Sequence, residues 1–384
     1  MNKVLLIGNG FDLAHGLFTS YNQFLEVIKN WTSIYERLKK LKTGAFFPKN
    51  NTFAQYMCNI STMDVDNLEN FDKIIKNNSW VKYFKQCEAE IDGWIDFERE
   101  IIPVINLFEI LFKEKNYMLI KDGNNEFVQA FINNSCFNSN QIRIINMWDK
   151  YFKFNNGVFL KEPYASLKYG ILKKKILKSL RDEFDEFIKA FEIYLLEFVH
   201  KTKDIRLLKQ IKDINPDYVI SFNYTHTEKL YGIDEANVHH IHGTLRENIT
   251  VGINNMVLGL NEQKEQNMDF IYFVKYFQRI QKASGVKYKE FIEKRENIPY
   301  TLYIYGHSLD ETDEDILKSV IGTKTKTGEL NLKPQKIIIY YYDIFDYEQK
   351  VINLIKLYGR EVVEEYMISK KFEFISTMKE FYSI

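Results

Sequence analysis

Four short stretches of the chain bring glycine or hydrogen-bonding side chains: Gly8-Asn9-Gly10-Phe11-Asp12, Ser221-Phe222-Asn223-Tyr224-Thr225-His226, His240-Ile241-His242-Gly243 and Tyr305-Gly306-His307-Ser308-Leu309-Asp310. The first invites a phosphate. Gly8 and Gly10 have no Cβ to block close backbone approach, and the start of a following helix offers free N–H groups and the positive end of the dipole. The spacing stops short of a dinucleotide fingerprint, because its third glycine would fall at Leu13 and Gly16 comes late. A tight strand-to-helix turn without a ligand uses the same glycines. Asn9 and Asp12 exceed what such a turn needs, although Asp12 also suits an N-cap. Histidines supply a second chemistry. His240 and His242 alternate, which in a strand puts both on one face, and Asp12, Asp310 and Asp313 are available as further metal ligands. No second motif has committed ligand spacing, so no metal ligand is assigned.

These loops need strands to carry them. Val4-Leu5-Leu6-Ile7 reads as a strand buried on both faces, as in a parallel sheet. Further strands are expected at 217–224, 237–243, 256–260, 301–306 and 336–342. Several end on a small or polar residue, and in an open α/β sheet the ligand crevice lies outside the carboxyl ends of the strands. Between the first strand and the rest the spacing is helical: 21–41, 80–111 with a break or kink at Pro103, 142–154, and a long helix over 167–208. The Asn- and Gly-rich segment 116–139 reads as an exposed connection, and 264–295 as one more helical stretch. The expected fold is α/β with a mostly parallel, Rossmann-like sheet: residues 1–30 plus 215–384 form the core, and 31–214 a large helical insertion.

Composition bounds the function. The chain has 384 residues, 45% hydrophobic and 27% charged, enough for one large or two ordinary folded domains. The 52 basic residues equal the 52 acidic ones, which gives no global pull toward nucleic acid or anionic membrane. Cys58, Cys87 and Cys136 stand apart with no C-x-x-C pair, which fits a reducing cytoplasm and argues against a structural zinc site. Neither a signal peptide nor a run long enough to cross a membrane is expected.

The loops together resemble the sirtuin-like NAD-binding fold and, within it, the bacteriophage abortive-infection AbiH family. Ile7-Gly8-Asn9-Gly10-Phe11-Asp12-Leu13-Ala14-His15-Gly16-Leu17 with Thr19-Ser20-Tyr21 is similar to that family's opening signature, and Trp94-Ile95-Asp96-Phe97-Glu98 to its tryptophan-acid motif. Ser221-Phe222-Asn223-Tyr224-Thr225 resembles the Asn-Tyr-Asp segment of sirtuin-like defence enzymes, His242-Gly243 their His-Gly, and Gly306-His307-Ser308-Leu309 with Asp313 their Gly-x-Ser-Leu segment. Thr225 departs from the aspartate of those relatives. The four zinc cysteines of protein deacetylases are missing too, which argues against deacetylation.

The resemblance implies a cytoplasmic defence protein that binds NAD, as substrate or ligand, and cleaves it to ADP-ribose and nicotinamide. Breaking the nicotinamide–ribose bond leaves positive charge on the sugar, so the site needs a dry pocket, a polar group on the ribose and a base. The implied roles are His242 as base, since imidazole titrates near ~6.5, Asn223 on the ribose hydroxyls and Asp12 positioning water or the carboxamide. Gly8, Asn9, Gly10, Phe11, Gly243, Gly306 and Ser308 complete the nucleotide set. The backbone N–H groups of Gly8, Gly10 and Phe11 would face the pyrophosphate. His226 or His307 is a candidate helper for His242. Trp94, Phe97 and Ile101 read as a packing seam, with Glu98 a partner for a charge near the pocket. A nucleotide sensor without turnover and a metal-dependent nuclease or phosphohydrolase stay open, as do the phage trigger and self-association into a homo-oligomer.

Overall fold

The computed structural model describes residues 2–42, 63–87, 97–113, 118–121, 127–132, 137–155, 157–202, 205–260, 267–284, 288–290, 299–324 and 330–378. The chain divides into two compact units, the first made of residues 1–20, 199–257 and 278–384, the second of 21–198 and 258–277.

The first unit is built on a six-stranded sheet: β1 (Asn2–Ile7), β2 (Tyr218–Ser221), β3 (Val238–His240), β4 (Tyr300–Tyr305), β5 (Lys336–Tyr341) and β6 (Phe372–Ser376). The spatial order is β6-β5-β4-β1-β2-β3, and every pairing is parallel. From β1 the chain first moves outward through β2 and β3, then crosses back and builds β4, β5 and β6 on the other side. The order reverses between β1 and β4. The expected α/β class and mostly parallel sheet are therefore present.

Hydrophobic alternation explains why β1 sits centrally. Val4 and Leu6 join a buried cluster with Ile220, Leu302, Ile304, Ile337 and Ile339, while Leu5 and Ile7 point to the opposite face with Val219 and Tyr305. Helices α3 (Glu314–Ile321), α4 (Ile344–Tyr358) and α5 (Arg360–Ile368) cover the first face through Ile316, Leu317, Val320, Leu354, Tyr358 and Val363. The second face receives Phe11 from α1 (Asn9–Ala14) and Ile211 and Ile214 from α2 (Lys209–Ile214). Each such side chain is worth about 1.5–3 kcal/mol on burial.

The second unit combines helices with a four-stranded antiparallel sheet of 118–121, 127–132, 152–154 and 158–160. Its core is aromatic: Phe24, Phe84, Phe97 and Phe187 form a mutually packed group, and Trp80 meets Trp148 edge-on.

Several local expectations change. Segment 116–139 holds two strands of the antiparallel sheet instead of an exposed connection. Pro103 lies inside the helix Phe97–Leu111 without ending it, because its fixed φ is helical and only one backbone hydrogen bond is forgone. The long helix ends at Tyr194 and widens to a π-turn over Leu195–Val199. Residues 256–260 are no strand: Leu260 makes an isolated bridge to Val274. The helix expected over 264–295 is reduced, among the described residues, to a 3-10 turn at Met268–Phe273 and helical turns at Lys275–Gln281 and 288–290. Among the described residues no helix is long and apolar enough to cross a membrane.

Candidate functional site

Register brings the loops together. Ile7 pairs with Ser221 on one side and Tyr305 on the other, and Ser221 pairs with His240, so β1, β2, β3 and β4 stop at one level. Backbone bonds continue past that level: Phe222 N–H donates to Ile7 O at 2.9 Å, Ile241 N–H to Ser221 O at 2.7 Å and Gly8 N–H to Tyr305 O at 3.1 Å. All four chemistry-bearing loops thus leave the same edge of the sheet, beside the point where strand order reverses.

Asp12 is the buried carboxylate of this edge, 1% exposed on α1. Its Oδ2 accepts the Thr225 hydroxyl at 2.5 Å, and Thr227 Oγ1 donates to Thr225 Oγ1 at 3.2 Å. Oδ1 is buried and accepts no hydrogen bond among the described residues. Burial pushes the Asp12 carboxyl up to about 6 against the pull of Thr225, with the negative charge of Glu228 adding to the rise. Asn223 is buried as well, and its Nδ2 donates to Gly8 O at 3.0 Å, tying the end of β2 to the end of β1. Asn9 lies one residue past that turn, its Oδ1 accepting from Thr19 Oγ1 at 2.6 Å.

A second group forms around Asp313. His242 Nε2 lies 3.2 Å from Asp313 Oδ1, and His307 Nε2 lies 3.7 Å from Asp313 Oδ2. The Leu309 N–H donates to His307 Nδ1 at 2.9 Å, so a neutral His307 carries its proton on Nε2, toward the carboxylate. Phe222 sits edge-on to both rings, with centroids 5.4 Å from His242 and 4.2 Å from His307. All three aromatic rings are buried. An imidazole that gives Nε2–H to a carboxylate keeps its lone pair on Nδ1, so Asp313 fixes the orientation of the His242 ring. His307 is the neighbour of His242 here; His226 is not.

His226 instead joins a third group. His226 Nδ1 and His240 Nε2 each lie 3.3 Å from Glu228 Oε1, and the two rings meet edge-on at 4.8 Å. His240 Nδ1 donates to Asn223 O at 2.9 Å. Burial alone would raise the Glu228 carboxyl, but the hydrogen bonds from His226 and His240 outweigh it and hold it at about 2. The expectation that His240 and His242 share a face fails because β3 ends at His240, after which strand alternation no longer applies. Glu228 carried no assignment from sequence. The His-x-Glu spacing of residues 226–228 was the available signal, and a lone acid in a short loop concealed it.

The glycines answer first to packing. A Cβ on Gly306, whose φ is +69°, would lie 2.1 Å from Phe11 N, and Gly10 N–H donates to Gly306 O at 2.8 Å. Gly243, with φ +78°, would place a Cβ 2.1 Å from Asn255 O. The N–H groups of Gly8, Gly10 and Phe11, expected to face a pyrophosphate, already donate to Tyr305 O, Gly306 O and Gly8 O. Ser308 is exposed, and its carbonyl accepts from Asn353 Nδ2 at 2.9 Å. Trp94, Ile95 and Asp96 lie outside the described residues, as do Cys58 and Cys136. In the second unit Phe97 and Ile101 are core residues, and Glu98 pairs with buried Lys275 at 2.7 Å.

The family model described as "Bacteriophage abortive infection AbiH" matches residues 4–330, a span that includes all three groups. No curated protein and no solved structure matches the chain.

Proposed function

The chain belongs to the bacteriophage abortive infection AbiH family, and from that premise we propose that its parallel-sheet unit binds NAD and, during phage infection, hydrolyses it to ADP-ribose and nicotinamide. The observation that carries the reading is the position of Asp12, a fully buried carboxylate with one uncommitted oxygen, at the carboxyl end of the central strand where strand order reverses. The order β3-β2-β1-β4-β5-β6 is that of doubly wound dinucleotide-binding sheets, in which the ligand lies at this reversal.

In this reading the Asp12 carboxylate faces the positive charge that grows on the ribose as the nicotinamide bond breaks, and low local dielectric strengthens that attraction. Water attacks the ribose carbon, nicotinamide leaves neutral with the bonding electron pair, and His242 Nδ1 takes the proton of the water. Asp313 then faces an imidazolium and stabilises it. The carbonyls and side chains around Asn223 hold the ribose hydroxyls. Because Gly8, Gly10 and Phe11 spend their N–H groups inside the chain, the pyrophosphate takes other donors of these loops. Cytoplasmic action follows from the substrate.

The test is nicotinamide release by purified protein, alone and with lysate of phage-infected cells, beside His242→Ala and Asp12→Asn. General-base loss predicts a fall of about 10²–10⁴ in turnover. NAD binding without release under either condition would replace the hydrolase by a sensor, and absence of NAD binding would remove the nucleotide reading altogether.

A further inference from the structure

His226, Glu228 and His240 form a compact three-donor group that the proposed hydrolysis does not use. Their ligand atoms lie within 4.8 Å of one another, and each imidazole nitrogen is 3.3 Å from the same carboxylate oxygen. Zinc holds nitrogen and carboxylate oxygen at about 2.0–2.1 Å in a tetrahedral arrangement, which sets neighbouring ligand atoms about 3.3 Å apart. Both histidine–glutamate separations match that spacing, and the third pair of ligand atoms lies within 4.8 Å.

Proton placement points the same way. His240 Nδ1 donates to Asn223 O at 2.9 Å, the outer hydrogen bond typical of a metal-binding histidine, and its Nε2 faces Glu228 Oε1. A second imidazole, His226, is turned onto the same oxygen. Glu228 is 1% exposed, and its other oxygen, Oε2, is buried and accepts no hydrogen bond among the described residues. A carboxylate so placed has unused capacity for a cation.

We propose that His226, Glu228 and His240 bind one divalent transition-metal ion, Zn²⁺ first among them. Two imidazoles with one carboxylate suit zinc or its neighbours and not the oxygen-seeking Mg²⁺ or Ca²⁺. Three protein ligands leave one position for water, and His226, whose side chain is 23% exposed against 1% for Glu228, forms the accessible wall. The ion fastens the loop after β2 to the end of β3.

The experiment uses the full chain carrying no histidine tag, stripped by chelator and dialysed, with Zn²⁺ titrated by calorimetry and bound metal counted by mass spectrometry. One equivalent per chain is expected, with a rise in Tm. His226→Gln, at the exposed wall, and Glu228→Gln should each weaken Zn²⁺ by at least about 100-fold. Circular dichroism checks that each variant is folded. Asp313→Asn, outside the group, should keep the equivalent, and Co²⁺ in place of Zn²⁺ should show tetrahedral visible absorption that His226→Gln abolishes. Failure to bind one equivalent, or an equivalent that both ligand variants retain, overturns the proposal, whatever the outcome for NAD.

Discussion

Thr225 gives its hydroxyl proton to Asp12 across 213 residues of sequence, at 2.5 Å and away from water. The pair joins the loop after β2 to helix α1. A carboxylate at 225 would face a second buried carboxylate, whereas a hydroxyl offers it a proton. The consequence is an acid that remains partly protonated near pH 6.

That titration predicts how stability follows pH. The folded carboxyl of Asp12 titrates near 6 and the unfolded one near 3.8. Its folded pKa is raised, so its contribution is present below pH 3.8 and is lost as pH rises through 6. Asp12→Asn removes the loss. Denaturant unfolding from pH 4 to pH 8 should show the variant gaining on wild type by up to roughly 3 kcal/mol, while nicotinamide release is lost. Parallel stability curves would show that the carboxylate is not the group strained by burial.

Thr225→Val tests the donor with the volume nearly preserved. Removing a hydrogen-bond donor to a buried charged group costs on the order of 1–3 kcal/mol, and the Asp12 pKa should climb further because the hydrogen bond that opposed burial is gone. The stability difference between wild type and variant should therefore widen from pH 5 to pH 8. Thr225→Ser, which keeps the hydroxyl, should restore most of it.

Much of this arrangement was legible in sequence, for identifiable reasons. Val4 to Ile7 are apolar on both faces, and a strand buried on both sides announces itself without context. The loops were found by glycine and polar residues at strand ends. Residues 256–260 misled because an apolar run is also how a buried loop looks: Val257 gives its N–H to His242 O, outside any strand ladder. Phe127–Ile132 was hidden among Asn and Gly, which mark the turns of a hairpin as readily as a loop. Side-chain partnership was the least legible part. Nothing in the order of residues says that His242 turns to Asp313 while His240, two residues earlier, turns to Glu228; that choice is made where β3 stops.

Gly306→Ala tests the seam between the loops after β1 and β4. The added Cβ would meet Phe11 N at 2.1 Å in a backbone with φ +69°, so both sterics and conformation oppose it. A loss of several kcal/mol, on the order of 3 or more, is expected in Tm and denaturant midpoint. Gly232→Ala, also at a positive φ of +69° but with nothing near its Cβ, isolates the conformational part. Equal effects at the two positions would mean that close packing at Gly306 contributes nothing.

Asp313 and His307 can be separated by the pH dependence of turnover. In the proposed reaction Asp313 acts through His242, so Asp313→Asn should lower kcat more than it raises KM and should shift the acidic limb of the profile, where the base must lose its proton, toward lower pH, because the imidazolium loses its facing carboxylate at 3.2 Å. His307 is farther from the carboxylate, at 3.7 Å, and its Nδ1 is occupied by the Leu309 N–H. It has no lone pair to offer as a base in its neutral form. His307→Gln should therefore leave the shape of the pH profile unchanged and alter mainly its height, through the packing of Phe222 against His242. A shift of the profile in His307→Gln, with none in Asp313→Asn, would transfer the role of base from His242 to His307 and with it the direction of water attack.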